Sequence, residues 1–333
     1  MNQTVQQRLT PGLTSGLPFL QPASTSIGWR AAARCLGTVR WPVCWLLGGL
    51  CAIANVGVQA QGASIVVVVE DDLANASISL PSAVGTFTAE LGIQFDDDDH
   101  VTNLDATCLG IDAHLLETPA AIAALNARLP SGAVSYLIDP LFPMVIVVEP
   151  PAGCGLEFTE DVDYEIHTDH LPFVAPSLYR LMKAPIGGPF QEITADVIAG
   201  SIRARGRGGN FSEFVIAKLV VNRATDTLQA DLLAEASAGF AALAARIDQG
   251  DLSLVAQRTL RTRLRIAKAA FDNQDFVGAN TRLLALATEA ASLSGQAIPN
   301  RWRSLRDLVN AEGEIQGLAA ALGHKLRCLQ GTC

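Results

Sequence analysis

Three groups of side chains in this chain have the types and spacing that chemistry requires. Asp96, Asp97, Asp98 and Asp99 run consecutively and are followed by His100, Asn103 and Asp105. They form a dense set of hard oxygen ligands, and calcium takes six to eight such oxygens. The run lacks the spaced Asp-x-Asp-x-Asp-Gly order that curls a loop around one ion, so a solvated turn between strands competes with a weak calcium loop. His167, Asp169 and His170 offer zinc ligands, but in an extended strand His167 and His170 point to opposite faces, which favours an exposed loop. Arg203, Arg205 and Arg207 alternate with Ile202, Ala204 and Gly206, so a strand places all three guanidinium groups on one side. Such a row would hold a sulfated or carboxylated glycan through forked hydrogen bonds. Its plain alternative is a solvated face paired with acidic neighbours such as Glu213.

Enzyme signatures point the other way. Ser201 and Ser212 do not sit in Gly-x-Ser-x-Gly, and neither an HExxH nor a phosphate-binding loop occurs. Carboxylates are so frequent that no pair can be singled out without geometry. The expectation is a protein without catalytic residues, and the competing class is a secreted hydrolase that uses acidic loop residues.

These groups must be carried by elements, and the chain divides into two textures. Up to about residue 217 the pattern is that of strands. Phe87, Ala89, Leu91, Ile93 and Phe95 alternate with Thr88, Glu90, Gly92 and Gln94, the period of two that buries one face. Val162, Tyr164 and Ile166 repeat it, while residues 65–69 and 145–148 are β-branched runs suited to strands buried on both faces. Ala-rich residues 119–129 predict one short helix. Many short strands with turn signals between them predict an antiparallel sandwich, immunoglobulin-like in the loose sense.

From Lys218 onward the spacing becomes three and four. Leu228, Leu232, Ala236, Phe240, Leu243 and Ile247 line one stripe, with Asp226 as its cap. Val255, Leu260, Leu264, Ala267 and Phe271 line a second, and Phe276, Ala279, Leu283, Leu286, Ala290 and Leu293 a third that Gly295 ends. A fourth helix is expected to start near Pro299 and carry Trp302, Leu305, Val309, Ile315, Leu318 and Leu322. Short connections make neighbours antiparallel. The predicted fold is therefore α+β: an N-terminal sandwich over residues 61–217 followed by a C-terminal antiparallel helical bundle over residues 218–333.

Residues 1–60 hold no acid, carry Arg8, Arg30, Arg34 and Arg40, and turn apolar over residues 41–58 before Val58-Gln59-Ala60. That order predicts a signal peptide cleaved before Gln61 and an extracytoplasmic protein, periplasmic or secreted, without a remaining membrane span. Removing the four arginines takes the formal charge from −9 to −13, which excludes the clustered basic surface that nucleic acid needs. The acid is concentrated: residues 61–217 hold 6 basic and 22 acidic side chains, residues 218–333 hold 14 and 11. Beyond the leader four cysteines remain. With one pair in each region, Cys108 joins Cys154 and Cys328 joins Cys333 in an oxidising compartment. A Cys-only metal site is the alternative, but no CxxC spacing supports it.

The segment with Gly188-Pro189-Phe190, Gly200-Ser201-Ile202-Arg203-Ala204-Arg205-Gly206 and Phe211-Ser212-Glu213-Phe214 resembles the end of a β-sandwich in uncharacterised secreted bacterial proteins. Residues 260–322, with the turn from Asp272 to Phe276 and Ser294-Gly295-Gln296-Ala297-Ile298-Pro299, resemble the FIVAR-type and FIMAH-type helical modules of exported bacterial proteins. The first resemblance implies an extracytoplasmic bacterial sandwich and the second a non-enzymatic accessory module. Together with the residues they lead to an exported, non-catalytic binding or surface-structural protein. Its partner would be a glycan or another envelope protein, with no cofactor unless the Asp run takes calcium.

Overall fold

Period-two segments form strands wherever their apolar face finds a partner sheet. The computed structural model describes residues 62–333 apart from Asp97, Ala133 and residues 222–227. The leader with its cleavage site and the Asp226 cap lie outside these residues. The strands begin with β1 (Ser64–Glu70), β2 (Leu73–Ser82), β3 (Gly85–Phe95), β4 (Val101–Thr102) and β5 (Ile111–Leu115). After helix α1 (Pro119–Asn126) come β6 (Tyr136–Ile138), β7 (Met144–Val148), β8 (Glu157–Thr159), β9 (Val162–Pro172) and β10 (Tyr179–Ala184). Then follow β11 (Gln191–Glu192), β12 (Thr194–Ile198), β13 (Ser201–Gly208) and β14 (Glu213–Leu219). Helices α2 (Leu228–Ile247), α3 (Leu254–Asp272) and α4 (Phe276–Ser292) precede a short β15 (Arg301–Arg303) and helix α5 (Ala311–Leu329).

The first sheet has the order β1-β2-β3-β9-β13-β12 and the second β11-β10-β14-β7-β5, with β6 also on β14. A third, small sheet joins β15, β8 and β4, and the named strands pair antiparallel. Ile78, Leu91, Ile93, Tyr164 and Ile202 from the first sheet share one core with Ile146, Leu181, Phe214 and Ile216 from the second. The alternation in β3 holds: Leu91, Ile93 and Phe95 are buried while Thr88 and Glu90 face outward. The run over residues 65–69 behaves differently from expectation. It is an edge strand, and Val66 and Val68 are 58% and 50% exposed, because a β-branched run does not reveal whether a sheet or solvent lies on its second face.

Helices α2 to α5 share a second core of Phe240, Leu260, Leu264, Leu283, Leu286 and Leu322. Local caps set their starts: Ser253 accepts from the Ala256 amide, Asp275 from Gly278 and Asn310 from Gly313. The helix expected from Pro299 starts later. Trp302 lies on β15, opposite Phe158 of β8, and its ring meets those of Phe158 and Phe211 at 5.2 and 5.1 Å. An indole captured by this aromatic cluster prevents the helical turn, Leu305 and Val309 stay exposed, and α5 begins only at Ala311.

Sheets and helices form one compact unit. A third apolar cluster joins Met182, Val215 and Ala217 on the outer side of the second sheet to Leu125 of α1, Leu232 of α2 and Cys328 of α5. Helix α5 also runs against the end of β13. A Cβ at Gly317 would stand 2.3 Å from the Arg207 carbonyl oxygen, so only glycine permits this approach. Both disulfides, Cys108–Cys154 and Cys328–Cys333, are formed, with Cα atoms 5.4 and 4.8 Å apart.

Candidate functional site

The outer face of the first sheet carries the arginine row. On β13 the side chains of Ile202 and Ala204 enter the core, which turns Arg203, Arg205 and Arg207 outward together. Strand register then dictates their neighbours. Arg203 stands opposite His167, Arg205 opposite Glu165 and Arg207 opposite Asp163, all on β9. Beyond β9, Glu90 of β3 opposes His167 and Gln94 opposes Asp163, while Asp196 of β12 opposes Arg205 on the other side.

Each guanidinium is held by a carboxylate. Glu165 accepts from Arg203 at 2.8 Å and from Arg205 Nε at 2.5 Å. Arg207 donates to Asp163 at 2.7 Å and lies 3.2 Å from Asp161. The acidic partners are thus residues of β9 and the turn before it. Glu213 is elsewhere, on the second sheet, where Arg128 holds it. Burial alone would raise the Glu165 carboxyl, but hydrogen bonds from Arg205 and Arg203 outweigh it and hold it below the usual range. Between these side chains lies a groove of about 540 Å³, whose walls include Asn75, Glu90, Gln94, Asp196 and the three arginines. Gly92, opposite Glu165, leaves its floor low.

At one end of the groove, side chains from three strands join in a chain of hydrogen bonds. Ser201 Oγ lies 2.5 Å from His167 Nε2, and His167 Nδ1 lies 3.0 Å from Glu90 Oε2. Asp169 also approaches Nε2, at 3.6 Å. His170 takes no part. Its ring lies between those of Phe87 and Phe142 and its Nε2 accepts the Thr88 amide, so the two histidines do face apart. Both stand half-buried on β9 and not on the exposed loop expected of them, because the strand continues through them to Pro172.

A family sequence model matches residues 48–330, which takes in both the strand and the helical parts. The chain belongs to that family. It is described as a family of unknown function, DUF6689. No curated protein and no solved structure matches the chain.

In this DUF6689 protein the aspartate run falls only partly within the described residues. Asp98 and Asp99 enter a 3-10 turn with His100, and Asp97 lies outside the described residues. Asp96 instead meets His100 and Glu160, with ligand atoms within 4.8 Å of one another. Burial raises the Glu160 carboxyl and its hydrogen bond with Asp96 raises it further. Among the described residues this gathering offers two carboxylates and one imidazole, where a calcium loop takes six to eight oxygens. A second gathering, His324 with Cys328 and Cys333, offers no thiolates, because the two cysteines are bonded to each other.

Sequence reasoning did not find the Ser201–His167–Glu90 chain in this DUF6689 protein. The period of two places each of these residues on an outer face, but nothing local announces that β3, β9 and β13 are neighbours.

Proposed function

We propose that this is an exported bacterial protein that binds an uncharged, polyhydroxylated glycan on the outer face of its first sheet without transforming it. One observation carries the reading: in the groove, four carboxylates, Glu90, Asp163, Glu165 and Asp196, face three arginines, and the arginines are already paired. Such a surface does not attract an anion. It does present fixed donors and acceptors side by side, which is what sugar hydroxyls need, and the ion pairs remove the rotamer entropy that binding would otherwise cost. The sulfated or carboxylated ligand expected from the arginine row alone is therefore replaced by a neutral one.

Export is supported by the two disulfides, which persist in oxidising compartments. Among the described residues no helix is long and apolar enough to cross a membrane. We read the two face-to-face sheets as a loosely immunoglobulin-like sandwich and α2 to α5 as an antiparallel bundle that backs it.

A glycan array probed with residues 61–333 is expected to return neutral glycans. Glu165→Gln, which releases two guanidinium groups, should weaken their binding about tenfold, or ~1.4 kcal/mol, and shift preference toward sulfated ones. An array without neutral binders, or an unaltered Glu165→Gln profile, would refute the reading.

The Ser201–His167–Glu90 chain favours a second reading, hydrolysis. Nucleophile, base and orienting carboxylate follow one another as in serine hydrolases, although the acid is a strand residue and not a loop residue. A fluorophosphonate probe should then label Ser201 and spare Ser201→Ala. Equal labelling of the two proteins, or none, removes this reading and leaves glycan binding untouched.

A further inference from the structure

A second cavity, of about 360 Å³, lies where the strands meet the helices, and nothing in the groove reading uses it. Its walls come from β10, the end of β13, residues 210–212, α2 and α5. Two polar side chains on it stand out. Lys183 is 8% exposed, and its ammonium has no hydrogen bond or ion pair among the described residues, only the face of the Tyr164 ring at 5.1 Å. Ser212 is buried and its hydroxyl is likewise unused. Register explains why they converge. Lys183 pairs with Phe214, and Ser212, two residues before Phe214, lies on the same face. Gly208 belongs to the same wall, where a Cβ would come within 2.7 Å of Lys183 Nζ, so the glycine leaves the ammonium its space.

We propose that this cavity binds a small organic anion through a carboxylate or phosphate group seated on Lys183 Nζ and Ser212 Oγ. An unpaired buried cation is costly, and an anion that brings its own oxygens removes that cost. The other charges on the wall do not compete for the position. Glu314 of α5 is committed to Asn210 at 2.7 Å and to Arg246 of α2 at 2.5 Å, Arg246 also holds Asp251, and Arg207 is held by Asp161 and Asp163. With Glu314 neutralised, the cavity presents a net positive wall. Burial brings the Lys183 amine down to about 7, with Glu314 opposing, so an anion that settled there would pull it back up. The volume exceeds that of a bare inorganic ion and matches a small metabolite whose remaining atoms meet Ala242, Ala245 and Leu318.

The test follows the Lys183 amine by NMR in protein of residues 61–333, with inorganic phosphate, sulfate and acetate as probes and chloride at equal ionic strength as control. Phosphate or acetate is expected to saturate and to raise the amine's titration midpoint by about one unit, a tenfold preference for the charged form. Chloride should not. Lys183→Met, which puts an apolar chain in a buried place, is expected to fold and to lose phosphate binding at least tenfold by calorimetry, and Ser212→Ala should weaken it several-fold. If none of the probes moves the midpoint beyond chloride, or if Lys183→Met binds them as the parent protein does, the cavity is not an anion site. Neither result bears on the groove, because no variant touches Glu165 or the glycan-facing side chains.

Discussion

Replacing Glu235 with alanine is expected to lower the free energy of unfolding by about 3–5 kcal/mol, the cost of stranding a buried charge. Arg180 of β10 is fully buried and gives its Nε and one terminal nitrogen to the two oxygens of Glu235 on α2, at 2.8 and 2.9 Å. Its other terminal nitrogen donates to the Ser177 and Tyr179 carbonyls at 2.7 and 3.0 Å. Tyr136 donates its hydroxyl to Glu235 Oε1 at 2.8 Å, and burial followed by the Glu235 charge drives that phenol well above its ordinary range. One carboxylate therefore compensates a guanidinium and satisfies a phenol between the second sheet and the helices. Removing it leaves both unpaired where water does not reach. Removing both charges, as in Arg180→Met with Glu235→Leu, should recover most of the loss, since a buried ion pair is rarely more stabilising than a well-packed apolar one. Urea denaturation of the three proteins decides: a single variant within about 1 kcal/mol of the parent, or a double variant no better than the single, would mean that the pair is not what compensates the site.

Opening the Cys108–Cys154 bridge is the second large effect. It closes a loop of 46 residues, and the chain entropy it removes from the unfolded state is worth about 4 kcal/mol. The Cys328–Cys333 bridge closes only 5, worth about 2 kcal/mol on the same basis. Serine pairs at the two sites should therefore differ about twofold in their cost. The first cost arises although β5 and β7, which lie inside the loop the bridge closes, are already paired from Ile111 to Leu115, because the entropy term acts on the unfolded chain. Thermal unfolding of the two variants beside the parent checks the order, and an equal or reversed cost would overturn the entropic account.

Much of the local structure could be read from spacing. Leu260, Leu264, Ala267 and Phe271 of α3 and Ala279, Leu283, Leu286 and Ala290 of α4 are buried as the periods of three and four require. Val255 in the first turn of α3 is instead 70% exposed, and Ala256 is buried in its place. Strands β3 and β13 turn the expected faces inward. Residues 299–309 show where spacing fails. Trp302, Leu305 and Val309 recur at helical intervals, yet the indole gains more from the aromatic cluster around Phe158 than from a helix face. That cluster is assembled from segments as distant in the chain as Phe95, Phe158 and Phe211. Edge position was equally hidden in β1, since four valines read the same whether or not a second layer covers them.

The candidate sites divide in the same way. Alternation in β13 placed Arg203, Arg205 and Arg207 together, but their charge state as a surface depended on Asp163 and Glu165, which only the β9–β13 register brings alongside. For Lys183 there was no signal at all, because every residue of β10 is buried and the cavity exists only once α2 and α5 close against the strands.

What the amino-acid order determined by itself were quantities of short range: the periods that make strands and helices, the caps that start α3 and α4, and the side of a strand on which a charged residue stands. Which strands lie side by side, and so which charges neutralise each other and which buried amine is left without a hydrogen-bonding partner among the described residues, was decided by the tertiary structure alone. The reason is physical. Backbone geometry sets local spacing within a few residues, whereas sheet order and helix docking follow from the burial of apolar faces between segments far apart in the chain.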